Sequence, residues 1–465
     1  MSSDSRLGLT EETRAFEWRA RVSQRSAASR ARLGLVGLVG VVASGLLISI
    51  SAAHTNTVLP ESVRPVAALP ALAGPFGRAG PSLSVFELVT TLALMFVSYV
   101  LVMRAAERLP ARGVLMAIAA LNALVLLAPP ILSTDVFSYQ AYGRMWAIYS
   151  ANPYLTGPHV MALDPIYPFI GAKWVNTPSS YGPLFTLLSI LLAHVSIAAS
   201  ALAYKAIAAV CSLGTVAILW NAARLRGLNP VRAVALFGLN PLVVLYGVGG
   251  GHNDLLMLLA TTAAIYALLA HRERTSGAMI VIGAGIKLTA GLLLPFALAS
   301  GVELGAGKRR RSLLVGAVAA AVAVGGLGFA AFGSGQLNLI HTLRVVQSEG
   351  DWHSIPGFIG TRLGLGAVSQ AAGLTLGTVF LAVFAWLVRQ VWNGEMDWID
   401  GAGWATLTML LTASSLLPWY IAWLLPLVAL CTDRRLWPIA LALTGLVQFI
   451  SVLGYIPHGS GFLGI

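Results

Sequence analysis

Charge is what this chain has least of. Asp, Glu, Lys and Arg make up only 10% of its 465 residues, where a soluble domain carries roughly a quarter. With 57% hydrophobic residues and a mean hydropathy of +0.79, there is too little polar surface to clothe a water-facing globule. Cysteine is nearly missing as well. Cys211 and Cys431 both lie inside apolar segments, which excludes a disulfide framework and a cysteine-built metal site. The net charge of +12 invites a nucleic-acid reading, but the basic residues fall in small groups between apolar stretches and form no patch. No nucleic-acid partner is expected.

What is present is a succession of apolar runs of about 18 residues or more, each long enough to cross a bilayer as a helix. The composition implies an all-α, polytopic membrane protein with about 11–13 transmembrane helices; 48 glycines and 22 prolines suit broken and closely packed membrane helices. The lipid bilayer is therefore its first partner.

The basic groups give the chain a direction. Assigned to the cytoplasm are Arg6 to Arg32, Arg104/Arg108/Arg112, Arg224/Arg226/Arg232, Arg272/Arg274, Lys308 to Arg311, Arg389 and Arg434/Arg435. The intervening segments keep Arg64, Arg78, Arg144, Lys173, Arg344 and Arg362, an imbalance of 22 to 6 that obeys the positive-inside rule. Residues 1–30 read as a mobile cytoplasmic tail, and the first apolar run, near Leu33, as an anchor and not a cleavable leader. Residues 31–465 read as one transmembrane domain.

With the N-terminus inside, helices near 33–53, 84–103 and 113–132 carry the chain outward and make 133–181 a large extracytoplasmic loop. The apolar residues that follow must make an odd number of crossings before Arg224. They divide into an interfacial helix near 183–199 and one span near 204–222. Stretches 233–270 and 277–302 begin and end beside basic groups, so each is a short hairpin, turning at Gly249–Asp254 and near Lys287. Further spans are expected near 313–332, 368–390, 401–417, 420–432 and 437–454, with a second outer loop at 333–360.

Outer-side carboxylates are few, and Asp135 stands out among them. It follows a long apolar stretch and precedes Tyr139, Tyr142, Arg144 and Trp146. On a helix Asp135, Tyr139 and Tyr142 share one face. A carboxylate at membrane depth suits a general base; Thr134 or Asp135 equally suits the N-cap of a helix over 136–148. Lys287, between apolar arms, marks an anionic ligand such as a lipid phosphate, a pair with Asp254, or a side chain that snorkels to the surface. Lys205, at the start of a span, is expected to snorkel. His252, Asn253 and Asp254 follow three glycines and present several hydrogen-bonding groups together, or else cap the helix after them. Trp352, His353, Trp419 and Tyr420 fall at the outer interface, as belt residues or as sugar-stacking faces.

Five strings in order carry a resemblance: DVFSYQAYGRMWA with NPYLTGP (135–158), YGPL (181–184), LNPLVVLYGVGGGHNDLLML (239–258), GIKLTAGLLLPF (285–296) and LPWYIAW (417–423). Together they resemble the GT-C membrane glycosyltransferases, and within them the actinobacterial polyprenyl-phosphomannose-dependent α-(1→6)-mannosyltransferases that extend lipomannan-type glycolipids. The resemblance implies a GT-C-like fold, a polyprenyl-phosphate sugar donor, a glycolipid or glycan acceptor, and inverting transfer on the extracytoplasmic face. It implies Asp135 as catalytic base, with Lys287, Arg144 and His252 toward the donor phosphate. Tyr139, Tyr142, Asn253, Asp254, His353, Trp419 and Tyr420 are the substrate-binding candidates. Many relatives carry a second acidic residue beside the first, whereas here Val136 follows Asp135; no cofactor is implied, and a divalent metal is left open. The rival readings are a transporter or flippase for lipid-linked sugars, and a membrane glycan polymerase or arabinofuranosyltransferase on a related scaffold.

Overall fold

The computed structural model describes residues 4–53, 70–76, 80–300, 306–348, 354–365 and 368–453. Every regular element among them is helical. Apolar sequence makes this the economical solution, because a helix satisfies its backbone polar groups internally where no water can reach them.

The chain runs through α1 (Asp4–Ser51), α2 (Val85–Ala105) and α3 (Ala111–Leu127), then α4 (Asp135–Ala147), α5 (Pro183–Leu191) and α6 (Ile197–Leu225). α1 begins at Asp4 and takes in most of the stretch read as a tail. α2 begins on a full capping box, in which Ser84 and Glu87 satisfy each other's free amides. The apolar residues after the first large loop divide into the nine-residue α5 and the 29-residue α6. Pro183 opens α5, where a missing N–H costs nothing.

The two expected hairpins follow. α7 (Pro230–Gly238) bends by 50° into a π-helical turn, Leu242–Val248, and α8 (Asp254–Leu269) returns. α9 (Glu273–Ile286) leads through a 3-10 turn, Leu288–Leu292, into α10 (Leu293–Ala299). At 16 and 14 residues, α8 and α9 reach about 24 and 21 Å, short of a hydrocarbon core of about 30 Å. One end of each therefore lies within the protein, at the buried Asp254 and Ile286. The chain closes with α11 (Ala306–Phe332), α12 (Leu339–Ser348), α13 (Ile355–Arg362), α14 (Gln370–Trp392), α15 (Trp398–Thr412), a 3-10 turn at Pro418–Trp423, α16 (Leu425–Leu430) and α17 (Leu436–Leu453).

Among the described residues five helices are long and apolar enough to cross a membrane, or six if the bent pair counts as one span; five more apolar helices are shorter. The protein is an all-α, multi-pass membrane protein. α6 packs on α7 and α8, α8 on α9, α9 on α11, and α14 on α15. One hydrophobic core runs from Leu38 through Leu236, Phe296 and Ile399 to Val447, joining the two ends of the chain.

Candidate active site

Asp135 is the first residue of α4, and its carboxylate is not spent on starting that helix. Thr134 occupies the N-cap position and makes no side-chain cap bond, while the Asp135 amide finds Ser133 Oγ at 3.2 Å. The capping reading of both residues is thereby corrected. The carboxylate instead faces the first glycine-rich turn. Its Oδ2 lies 3.4 Å from Tyr139 Oη and 3.4 Å from His252 Nδ1.

Two backbone features hold that approach. Ile131 donates its amide to the Gly249 carbonyl at 3.2 Å, tying the end of the α3–α4 connection to the turn. Leu132, next in sequence, is held at φ 60°, a left-handed conformation that costs a branched residue about 1–2 kcal/mol. On the other side Gly251 sits at φ +68°, and a Cβ there would meet Val136 Cγ1 at 2.6 Å. Only glycine allows both the conformation and the closeness.

Lys205 takes part in the same junction. Its ammonium is buried and donates to the carbonyls of Ala128 and, at 3.0 Å, Pro129. The expected snorkelling is corrected: the free carbonyls at the end of α3 are a nearer partner for the ammonium than the membrane surface.

Tyr139 is the hub of the cluster. Its hydroxyl reaches Asp135, His252 Nδ1 and Asn253 Oδ1, each at 3.4 Å. Its ring is wedged edge-on among Tyr181, Phe185 and Tyr204, with centroids 5.0, 4.7 and 5.5 Å away. Burial, then the nearby Tyr181 and Asp135, push the Tyr139 phenol well above its usual range, so it stays a neutral donor. Tyr142 turns its hydroxyl to the Thr177 carbonyl at 2.9 Å and its ring toward Tyr181.

His252 lies flat on Trp419, ring centroids 3.6 Å apart at 22°. Its Nε2 is buried with no partner, and a Cβ on Gly250 would stand 2.9 Å from it. Electrostatics then assigns the tautomer. A proton on Nδ1 points at the Asp135 carboxylate, whereas a bare Nδ1 would set lone pair against anion. The Asn253 side chain makes no cap bond either; Asn253 Nδ2 and Asp254 Oδ2 are likewise buried without partners. Three consecutive residues of the turn that faces Asp135 thus hold buried polar atoms without a protein partner.

Asp254 receives Lys287 Nζ at 2.7 Å and Trp423 Nε1 at 2.6 Å on its other oxygen, Oδ1. The pairing reading of Lys287 therefore holds. The ammonium also lies over Tyr420 and Trp423, 4.6 and 5.0 Å from their ring centroids, and those two rings stack at 4.1 Å. Past Trp423 and Thr289 an apolar cavity of about 60 Å³ opens between Met257, Leu293 and Phe296. The second hairpin turn is locked under the loop: Gly182 donates to the Ile286 carbonyl at 2.9 Å, and a Cβ on Gly182 would overlap the Gly285 carbonyl.

Arg144 is not in this cluster. Nine residues after Asp135, it points to the opposite side of α4. There it holds Asp164 at 2.8–3.0 Å and the Ala193 carbonyl at 2.8 Å. Burial pushes the Asp164 carboxyl up, but hydrogen bonds from Arg144, the Ile166 amide and Tyr149 outweigh it and hold the group below its usual range. In the structure Arg144 thus braces the loop, away from the Asp135 cluster. His353 lies outside the described residues.

The structure brings together Asp135, Tyr139, His252, Asn253, Asp254, Lys287, Trp419 and Tyr420 from four separate segments. Trp423, Tyr181 and Lys205 were not marked in the sequence as site residues. For Trp423 a signal exists, since its spacing from Trp419 and Tyr420 puts all three on one turn of helix. Among the described residues no three of His, Cys, Asp and Glu gather as a metal-ligand set.

Fold and site together define a polytopic membrane protein whose polar centre is built where helices end inside it. Comparison with known proteins makes the class specific. A family model described as alpha-(1->6)-mannopyranosyltransferase, N-terminal domain, matches residues 32–303, and one described as MptB C-terminal domain matches 353–464. Alpha-(1->6)-mannopyranosyltransferase A of Mycobacterium tuberculosis is 30% identical over 365 residues, covering 72% of this chain and 68% of that protein. A second alpha-(1->6)-mannopyranosyltransferase of that organism is 28% identical, covering 73% and 68%. A probable one from Mycolicibacterium smegmatis is 29% identical over the same shares. The chain belongs to the alpha-(1->6)-mannopyranosyltransferase family and is a membrane mannosyltransferase.

Proposed function

We propose that this protein transfers mannose from a polyprenyl-phosphate donor to a glycolipid or glycan acceptor, on the extracytoplasmic face, with inversion at the anomeric carbon. The observation that carries the reading is the uncapped Asp135 carboxylate beside three buried, unpartnered polar atoms of His252, Asn253 and Asp254. Such atoms await a polyhydroxylated ligand or ordered water.

In this reading Asp135 takes the proton of the acceptor hydroxyl as its oxygen attacks C1 of the sugar. The C1–O bond to the polyprenyl phosphate breaks on the opposite face. His252 and Tyr139 hold the carboxylate in place, and the apo distances of 3.4 Å would shorten in the bound complex. Lys287 has one N–H on Asp254 and two left for the departing phosphate, whose charge it would stabilise. The apolar cavity past Trp423 suits the start of a prenyl chain and no sugar. Trp419 already carries His252 on one face, so its part in sugar stacking is limited to what remains.

The test uses purified full-length protein. Asp135→Asn should bind polyprenyl-phosphomannose as wild type does and lose at least about 100-fold in transfer; near-normal transfer sinks the base assignment. Lys287→Ala should weaken donor binding, and an unchanged donor Kd removes its phosphate role. Turnover of a polyprenyl-diphosphate sugar in place of the monophosphate would redirect the donor assignment.

A further inference from the structure

A second site lies at the other end of the helices. Between the basic end of α2 and the start of α17 runs a groove of about 580 Å³, within the range of ligand-holding cavities. Its mouth carries Arg104, Arg108 and Arg232, and its depth is walled by Phe96, Leu441 and Ala442. α3, 17 residues long, separates this end from the Asp135 loop, a distance of about 25 Å.

The three guanidinium groups are not equivalent. Arg232 is fixed by the protein: it stacks 4.0 Å over Trp437 and holds Glu107 at 3.1 Å. Arg104 and Arg108 are exposed, and neither makes a side-chain hydrogen bond or ion pair to a described residue. Three positive charges therefore meet one negative one at the mouth. Two basic residues of α11, by contrast, are occupied. Arg309 pairs with Glu273, while Arg310 stacks on Trp392 and donates to the Leu298 carbonyl. The apolar wall continues the mouth in the right direction. Phe96 lies eight residues before Arg104 on α2, about 12 Å further into the membrane, and Ala442 lies five residues beyond Trp437 on α17.

We propose that this groove holds one anionic phospholipid, its phosphate between Arg104 and Arg108 and an acyl chain along Phe96 and Ala442. The succession of cationic mouth, aromatic collar at Trp437 and apolar limb matches phosphate, glycerol and acyl chain in order. Arg232, held by Trp437 and Glu107, closes one side. The site is separate from the transfer chemistry.

The test uses the full chain in nanodiscs of dioleoyl-phosphatidylcholine with increasing dioleoyl-phosphatidylglycerol, read by native mass spectrometry and by thermal unfolding. Wild type should retain one phosphatidylglycerol saturably. The Arg104→Gln/Arg108→Gln variant should bind it about fivefold more weakly per guanidinium removed, a factor equivalent to about 1 kcal/mol each. Its unfolding midpoint in pure phosphatidylcholine should match wild type, because neither side chain makes a hydrogen bond or ion pair to a described residue. Ala442→Trp should also displace the lipid, by filling the apolar limb with the guanidinium groups intact. Equal retention by wild type and both variants overturns the site. So does an equal loss in Lys308→Gln/Arg311→Gln, which would make the effect diffuse surface charge. Protection by glycerol 3-phosphate at the same concentration would replace the lipid with a soluble phosphate and overturn the proposal too.

Discussion

His252 has little freedom. Trp419 covers one face of its ring, Gly250 abuts Nε2, and Nδ1 is aimed at Asp135. In the proposed mechanism it is a positioning residue, because its Nδ1 touches the carboxylate that would do the chemistry. Removing a hydrogen bond to a charged group costs about 1.5–3 kcal/mol, or roughly 10- to 100-fold in rate. His252→Phe keeps the stack and loses the donor, so kcat should fall by that factor with KM for donor little changed. His252→Asn, whose amide nitrogen can stand near Nδ1, should recover part of the loss. Equal loss in both variants would show a merely structural ring. Single residues were only partly legible. The expense of a membrane-buried ammonium pointed to a partner for Lys287, with Asp254 one of the alternatives, and the structure shows that pair. The place of Arg144 was not legible, because its chain proximity to Asp135 hid its position on the other side of α4, where Asp164 waits 20 residues away.

At the scale of elements, the glycine-rich turn decides whether α4 and α8 can meet. Gly251 and Gly227 share φ +68°, but a Cβ at Gly251 runs into Val136 and Lys205 while one at Gly227 meets nothing within 4 Å. Gly227→Ala should therefore cost only the backbone strain of about 1–2 kcal/mol. Gly251→Ala adds overpacking of about 1–3 kcal/mol and pushes His252 away from Asp135. It should inactivate at a lower temperature than Gly227→Ala and lose transfer besides. If thermal inactivation and turnover are the same for the two, the close approach contributes nothing. Helix positions were readable in the sequence because apolar length and flanking arginines are local signals. The 50° bend after α7 falls at Pro241, a local breaker whose effect on direction a sequence window does not give. The π-helical turn that follows was not legible, and the Asn240 amide before it reaches Tyr99 and Thr444 on α2 and α17, partners that no local window contains.

For the whole molecule, the orientation of the Asp135 face is the property on which substrate access depends. Leu163 is 99% exposed in the loop after α4, Arg435 is exposed at the start of α17, and both native cysteines are buried. In intact cells a membrane-impermeant maleimide should label Leu163→Cys at once and Arg435→Cys only after permeabilisation. The reverse order would invert the proposed topology. The sequence by itself determined the class: apolar length demands helices in lipid, basic groups imply a direction, and ordered local strings carry the family. Those are properties of short windows, and a window needs no partner to be read. Only the tertiary structure decided which of the marked residues form a site. The Asp135 carboxylate was released from capping, Lys205 was turned inward and Arg144 was sent to a brace, because each took the nearest partner that packing offered. Hydrogen bonds and ion pairs are fixed by distance in space, and the residues concerned lie as far apart in the chain as Asp135 and His252 or Asp254 and Trp423.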